Sequence, residues 1–186
     1  MAEQQSENLL EVSGLHVQYR TDDAIVHAIN GLSLRVKQGE KLGLVGETGA
    51  GKTTLALSIL RLLPAQVGEI IQGSIVYRGD NLLEQPESFM LGLRGKRISM
   101  IFQDPMTCLN PTITVGQQIL EVLDLHFPEL SKAEKGEKVD EILKMVGIPP
   151  SRKEDFPHQF SGGMKQRIVI AMALIAEPKL LLADEP

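Results

Sequence analysis

Apolar residues alternate with mostly polar ones at Leu10, Val12, Leu15, Val17 and Tyr19, and again at Leu32, Leu34 and Val36. Period two marks a half-buried strand, so strands are predicted over 10–19 and 25–36, joined by a turn at Thr21, Asp22 and Asp23. The pair reads as an antiparallel hairpin with one face exposed. A short apolar stretch at 41–45 predicts another strand, followed by a glycine-rich loop and a helix over 52–63 that Pro64 stops. Further strands are expected at 73–78 and 97–102. The period then changes. Residues 115–127 and 133–146 carry apolar side chains three and four apart, which predicts two amphipathic helices joined at Pro128. Pro149, Pro150 and Pro157 mark a loop, after which a helix over 163–176 and a strand over 179–183 are expected. This order of elements predicts an α/β fold interrupted by a helical insertion.

Composition narrows the class. With 42% hydrophobic and 23% charged residues the chain has the means to build a core, which excludes a disordered polymer. Its 19 Lys and Arg against 24 Asp and Glu give a net charge of −5 without a basic cluster, so no nucleic-acid partner is expected. The longest clearly apolar run, 168–176, is nine residues, whereas a membrane-spanning helix needs about 20. Residues 1–8 are polar and show no signal-peptide pattern. Cys108 is the single cysteine, so no intramolecular disulfide can form. His16, His27, His126 and His158 show no metal-ligand spacing.

The chemistry is concentrated in three segments. Gly46-Glu47-Thr48-Gly49-Ala50-Gly51-Lys52-Thr53, with Thr54 next, follows a predicted strand and opens a predicted helix. That is the pattern of a phosphate-binding loop, in which glycines let backbone N–H groups turn inward and the helix start favours an anion. Lys52 is expected to carry positive charge to the β/γ-phosphates, and the Thr53 hydroxyl to ligate Mg²⁺. The second segment is Leu180-Leu181-Leu182-Ala183-Asp184-Glu185, an apolar strand ending in two carboxylates. Asp184 is placed to hold Mg²⁺ through water and Glu185 to polarise an attacking water. The third is Phe160-Ser161-Gly162-Gly163-Met164-Lys165-Gln166-Arg167, which opens an apolar helix. Its two glycines permit close approach of a phosphate, and Ser161 is a candidate both to cap the helix and to donate to an anion.

Together these segments make the chain resemble the ATP-binding subunit of an ABC transporter over nearly its whole length. The usual signature Leu-Ser-Gly-Gly-Gln stands here as Phe160-Ser161-Gly162-Gly163-Met164. That variant, and Phe102-Gln103-Asp104-Pro105-Met106-Thr107-Cys108-Leu109-Asn110-Pro111 with Cys108 in place of the expected serine, resembles the oligopeptide/dipeptide (peptide/nickel) importer branch. The resemblance implies a P-loop NTPase (RecA-like) core with an N-terminal antiparallel β-subdomain, formed by 1–103 and 161–186, and a helical subdomain at 104–160. It implies that Gln103 contacts Mg²⁺ and the attacking water, that Tyr19 stacks on adenine, and that Ser161, Gly162 and Gly163 meet the nucleotide of an opposite subunit.

The implied activity is ATP hydrolysis driving peptide import, with ATP and Mg²⁺ as cofactors. The implied partners are transmembrane permease subunits and a second ATP-binding subunit, at the cytoplasmic face of the cell membrane. The family pattern continues beyond the Asp-Glu pair with a dimer-contacting loop, a strand and a switch histidine, none of which follows Glu185 here. The chain therefore reads as C-terminally truncated and is expected to be inactive alone. A soluble ABC ATPase and a non-hydrolysing nucleotide-binding fragment are the alternatives. Coiled-coil heptads or basic arms would favour the first, and neither is present.

Overall fold

The computed structural model describes residues 8–22 and 24–185, apart from the side chains of Pro105 and Met106. Residues 1–7, read above as polar, and Asp23 of the expected turn lie outside the described residues. The chain divides into two compact units, Met1–Leu91 and Gly92–Pro186.

In the first unit β1 (Asn8–Arg20) pairs antiparallel with β2 (Ile25–Lys37), placing Val17 opposite Ile29 and Tyr19 opposite Val26. The predicted hairpin therefore forms. After β2 come α1 (Lys52–Ile59), β3 (Gly68–Tyr77) and the two-residue β4 (Asp80–Asn81), and the sheet order is β2-β1-β3-β4. β1 lies in the interior of the sheet with both edges paired, and its apolar side chains Leu10, Val12, Leu15 and Val17 are buried, together with Ile75 of β3 and Leu82. Burying each such side chain contributes about 1.5–3 kcal/mol. The alternation in the sequence slips by one position between Val12 and Leu15, and the β1–β2 register shifts at that same step. A slip of this kind keeps both halves of the strand facing the core.

Two expectations for this unit need correction. The apolar stretch 41–45 is not a strand; it lies in no regular element, and Leu42, Leu44 and Val45 are exposed, Val45 by 96%. A strand exists through hydrogen bonds to a neighbour, and among the described residues no strand pairs with this segment. Helix α1 ends at Ile59 rather than at 63, because Arg61 turns to φ 53° and the Leu62 N–H reaches back to the Leu57 carbonyl. Strand β3 starts five residues ahead of its predicted beginning, extended by pairing with β1 as far as Tyr19 opposite Gly68. Helix α2 (Glu87–Leu93), which the sequence reading did not foresee, buries Met90 and Leu93.

The second unit contains β5 (Ile98–Ile101), the short α3 (Pro105–Cys108), α4 (Val115–His126), α5 (Lys132–Met145), α6 (Gly162–Leu174) and β6 (Leu180–Ala183), with 3₁₀ turns at Pro150–Arg152 and Pro157–Gln159. Strands β5 and β6 are parallel, with Ile101 opposite Ala183. The predicted helices at 115–127 and 133–146 are present within a residue or two. Each starts at a reciprocal cap, Thr114 with Gln117 and Ser131 with Glu134. Such a cap stabilises a helix by about 1 kcal/mol. Ile119 and Leu123 of α4, Leu143 of α5 and Ile168 of α6 meet in one buried cluster with Ile101 of β5. Lys135 is buried at the α4–α5 contact and donates to Asp124 at 2.7 Å.

Candidate functional site

The loop 46–51 closes on itself before α1 begins. The Ala50 N–H donates to the Glu47 carbonyl at 3.0 Å, and the Lys52 ammonium donates to the carbonyls of Gly46 and Glu47 at 2.8 and 3.0 Å. An ammonium has three N–H donors, so this grip fixes Lys52 beside its own loop and leaves one donor for an anion. Gly51 is the N-cap of α1, with φ 86°. A Cβ there would lie 2.5 Å from the Ala28 carbonyl oxygen of β2. Only glycine allows both the left-handed turn and this contact, so the sheet sets where the helix starts. Thr53 is exposed at the first turn of α1, while Thr54 is buried and its hydroxyl lies 3.2 Å from the Tyr19 hydroxyl. The Tyr19 ring packs by Gly68, where an added Cβ would come within 3.1 Å of its Cε1. Tyr19 is thus held between β3 and the first turn of α1.

In the second unit the parallel strands β5 and β6 end side by side. The Asp184 N–H donates to the Ile101 carbonyl at 3.0 Å, which anchors the residue just past the strand, and Asp184 is only 8% exposed. The Gln103 side-chain amide donates to the Glu185 carboxylate at 2.6 Å. Glu185 has φ 48°, a backbone state that costs a non-glycine residue about 1–2 kcal/mol. The structure therefore gathers Gln103, Asp184 and Glu185 at the carboxyl edge of one parallel pair, the edge where α/β sheets bind ligands.

Ser161 occupies the N-cap position of α6 in extended conformation, and its carbonyl accepts the Lys165 N–H at 2.9 Å. The expected side-chain cap is not made: the Ser161 hydroxyl forms no cap hydrogen bond. Ser161, Gly162 and Gly163 are exposed, and a Cβ on either glycine would meet nothing within 4 Å. Nothing in the described chain fills the space that a side chain would take at either glycine.

The residues fit a nucleoside triphosphate and its metal. Within the first unit the loop offers an ammonium to an anion and Thr53 an exposed hydroxyl; within the second, Gln103, Asp184 and Glu185 supply hard oxygen donors of the kind that Mg²⁺ takes. No group of three or more His, Cys, Asp or Glu residues suited to a metal occurs among the described residues. The Cys108 thiol donates to the Asp104 carbonyl, and burial pushes its pKa up, which disfavours the thiolate. Two contacts escaped the sequence reading. The Ala28 carbonyl beneath Gly51 carries no side-chain signal at all. The Tyr19–Thr54 contact joins residues 35 apart, and only the pairing of β1 with β3 brings them close.

Comparison with known proteins agrees with this geometry. The chain is 49% identical over 180 residues to a probable peptide ABC transporter ATP-binding protein of Sinorhizobium fredii, covering 96% of this chain and 53% of that protein. It is 48% identical to an oligopeptide transport ATP-binding protein of Bacillus subtilis, covering 96% of this chain and 50% of the other. The chain thus spans about half the length of the curated relatives it matches. A solved ATP-binding cassette, a dimer in a post-hydrolysis state bound to ADP and Pi, is 25% identical and superposes with a TM-score of 0.83, covering 94% of this chain and 73% of that one. These likenesses identify the α/β architecture as a P-loop NTPase fold. The ABC transporter family model matches residues 29–186, from β2 through the loop, the signature and the final carboxylates, and the chain belongs to that family.

Proposed function

We propose that this chain is the ATP-handling part of an importer of oligopeptides or dipeptides, and that the complete protein hydrolyses ATP to ADP and phosphate. The observation that carries this reading is the loop 46–53, with Lys52 folded against its carbonyls and Gly51 seated on the Ala28 carbonyl. The backbone of Gly46, Glu47, Thr48, Gly49, Ala50 and Gly51, with Lys52, Thr53 and Thr54, cradles the phosphates. Thr53, and at the strand edge Gln103 and Asp184, hold Mg²⁺, which supplies positive charge against the phosphate oxygens when bound. Glu185, oriented by Gln103, accepts a proton from the attacking water. Ser161, Gly162 and Gly163 face a nucleotide held by a second subunit, a role supported by their outward exposure. Lys52 carries charge to the transition state.

In this reading 1–103 and 161–186 form the core with its β-subdomain, and 104–160 the helical subdomain. Peptide as cargo is supported by relatives at 48–49% identity, which are peptide and oligopeptide transport ATP-binding proteins. Transmembrane permease subunits and a second ATP-binding subunit are the partners, and the place of work is the cytoplasmic face of the membrane. Among the described residues no helix is long and apolar enough to cross a bilayer.

The test is calorimetric titration with Mg-ATP. Lys52→Ala is expected to weaken binding by about 1.5–3 kcal/mol, the range for a hydrogen bond to a charged group. Unchanged affinity would remove Lys52, and with it the reading, from the site. A companion measurement concerns the base. Tyr19→Ala is expected to weaken ATP binding by about 1 kcal/mol more than it weakens inorganic triphosphate binding, since only the base loses a stacking partner. Tyr19→Phe keeps the ring but loses the hydroxyl contact with Thr54, so a small loss shared by both ligands is expected there. Equal weakening of both ligands by Tyr19→Ala would show that Tyr19 serves folding alone.

A further inference from the structure

The signature of this chain departs from the family's usual Leu-Ser-Gly-Gly-Gln at two positions, Phe160 and Met164. In the structure the side chains at both positions touch one residue, Arg152. The Arg152 guanidinium carbon lies 4.2 Å from the centroid of the Phe160 ring, a cation–π contact that leucine cannot make. Its Nη1 points at the Met164 sulfur at 3.8 Å. The same fork also donates from Nη2 to the Gln159 carbonyl at 3.1 Å, and from Nε to Asp155 at 2.8 Å. A planar guanidinium with several directed donors fixes its surroundings in a way that an ammonium does not.

We propose that Arg152 is a positioning residue for the signature segment, and that Phe160 and Met164 are adapted to it. Three of its contacts straddle Ser161, Gly162 and Gly163: Gln159 and Phe160 on the near side, Met164 on the far side. The start of α6 holds these three residues through its backbone, and their own side chains add little. Ser161 makes no side-chain cap bond, and the glycines have no neighbour within 4 Å of a would-be Cβ. The preceding chain is short 3₁₀ turn, from Pro157 to Gln159, with Pro157 and Phe160 buried. Arg152 itself ends the 3₁₀ turn Pro150–Arg152 and is paired by Asp155 three residues on, so its fork is pre-set before it reaches the signature. The role in turnover rests on the reading of the signature given under Proposed function; the positioning itself does not.

The experiment therefore has two arms, both on the full-length protein. Amide hydrogen exchange reports positioning directly. In Arg152→Ala, exchange at the Phe160 and Lys165 amides, which donate to the Pro157 and Ser161 carbonyls on either side of the signature, is expected to rise about tenfold, with 168–174 of α6 unchanged, because a local contact is lost while the core helix stays packed. Unchanged exchange at both amides would overturn the proposal. The second arm is steady-state ATP hydrolysis with Mg-ATP affinity measured alongside. Arg152→Ala is expected to lower kcat about ten- to a hundredfold, the scale of a misplaced group, with affinity unchanged because Lys52 and its loop are untouched. Phe160→Leu, which restores the usual residue but removes the ring, is expected to show a smaller loss. Combined with Arg152→Ala it should add little, since both act through one contact. Fully additive losses would overturn the coupling, and wild-type kcat in Arg152→Ala would overturn the role in turnover. Arg152→Lys is expected to recover only part of the loss, lacking the fork. Insensitivity of turnover to Lys52→Ala would instead strike the functional reading and leave the exchange result standing.

Discussion

Replacing Gly51 by alanine is expected to abolish measurable nucleotide binding while leaving the fold in place. Two penalties coincide at this residue. The left-handed backbone, φ 86°, costs an alanine about 1–2 kcal/mol. The new Cβ would also sit 2.5 Å from the Ala28 carbonyl oxygen, which belongs to the backbone of β2 and cannot rotate aside. Relieving that overlap costs about another 1–3 kcal/mol, and it is relieved by pushing the start of α1 off the sheet. The loop that holds Lys52 is anchored on this helix start, so a shift of about 1 Å is worth around a hundredfold in any property that depends on its geometry. Gly49→Ala is the internal control. Gly49 has φ 84° but open space around a Cβ, so it carries the strain without the clash. Titration with Mg-ATP should find Gly49→Ala weakened and Gly51→Ala without detectable binding, with the Tm of Gly51→Ala lowered by several degrees. Equal losses for the two variants would show that the contact with Ala28 is irrelevant to the site.

The phosphate loop was legible because its chemistry demands particular residue types at fixed spacing, whatever surrounds them. Helices α4 and α5 were legible for a related reason. Their period and their caps, Thr114 with Gln117 and Ser131 with Glu134, are local and write themselves into neighbouring positions. Strand pairing is not local. The stretch 41–45 has the composition of a strand, yet composition does not supply a partner, and no described strand pairs with it. Strand β3 was cut short in the sequence reading for the opposite reason: its first five residues look unremarkable, and β1 recruits them.

The candidate site divides along the same line. Gln103 and Glu185 are 82 residues apart, and each could be singled out by its motif, but their hydrogen bond follows only from the parallel register of β5 and β6. Arg152 stood outside every motif. Its significance comes from what its guanidinium touches, and a sequence shows only that an arginine precedes the signature by eight positions. The failed cap at Ser161 is informative in its own right. Serine before an apolar helix reads as a cap, and the structure keeps the position and the backbone angles but turns the hydroxyl to no helix N–H.

Glu185→Gln is expected to leave Mg-ATP affinity within about twofold and to lower hydrolysis in the full-length protein by at least about a hundredfold, the lower end of what general base catalysis contributes. The substitution is unusually clean here. Glu185 accepts a hydrogen bond from the Gln103 amide at 2.6 Å, and a glutamine at 185 still offers a carbonyl oxygen to that donor. Shape and orientation persist, and the backbone at φ 48° is no more strained by glutamine than by glutamate. What disappears is the negative charge that draws the proton from water. Asp184, one residue earlier and nearly buried, cannot substitute, because its main chain is tied to the Ile101 carbonyl and successive residues point apart past a strand end. Gln103→Ala provides the comparison. It keeps the charge and removes the donor that aims it, so it should cost less in kcat than Glu185→Gln, and the double variant should be no slower than Glu185→Gln alone. A phosphate-release assay across the three variants decides the matter. Near-normal turnover in Glu185→Gln, or a deeper loss in Gln103→Ala, would move the base away from Glu185 and leave Gln103 as the residue that orients the water.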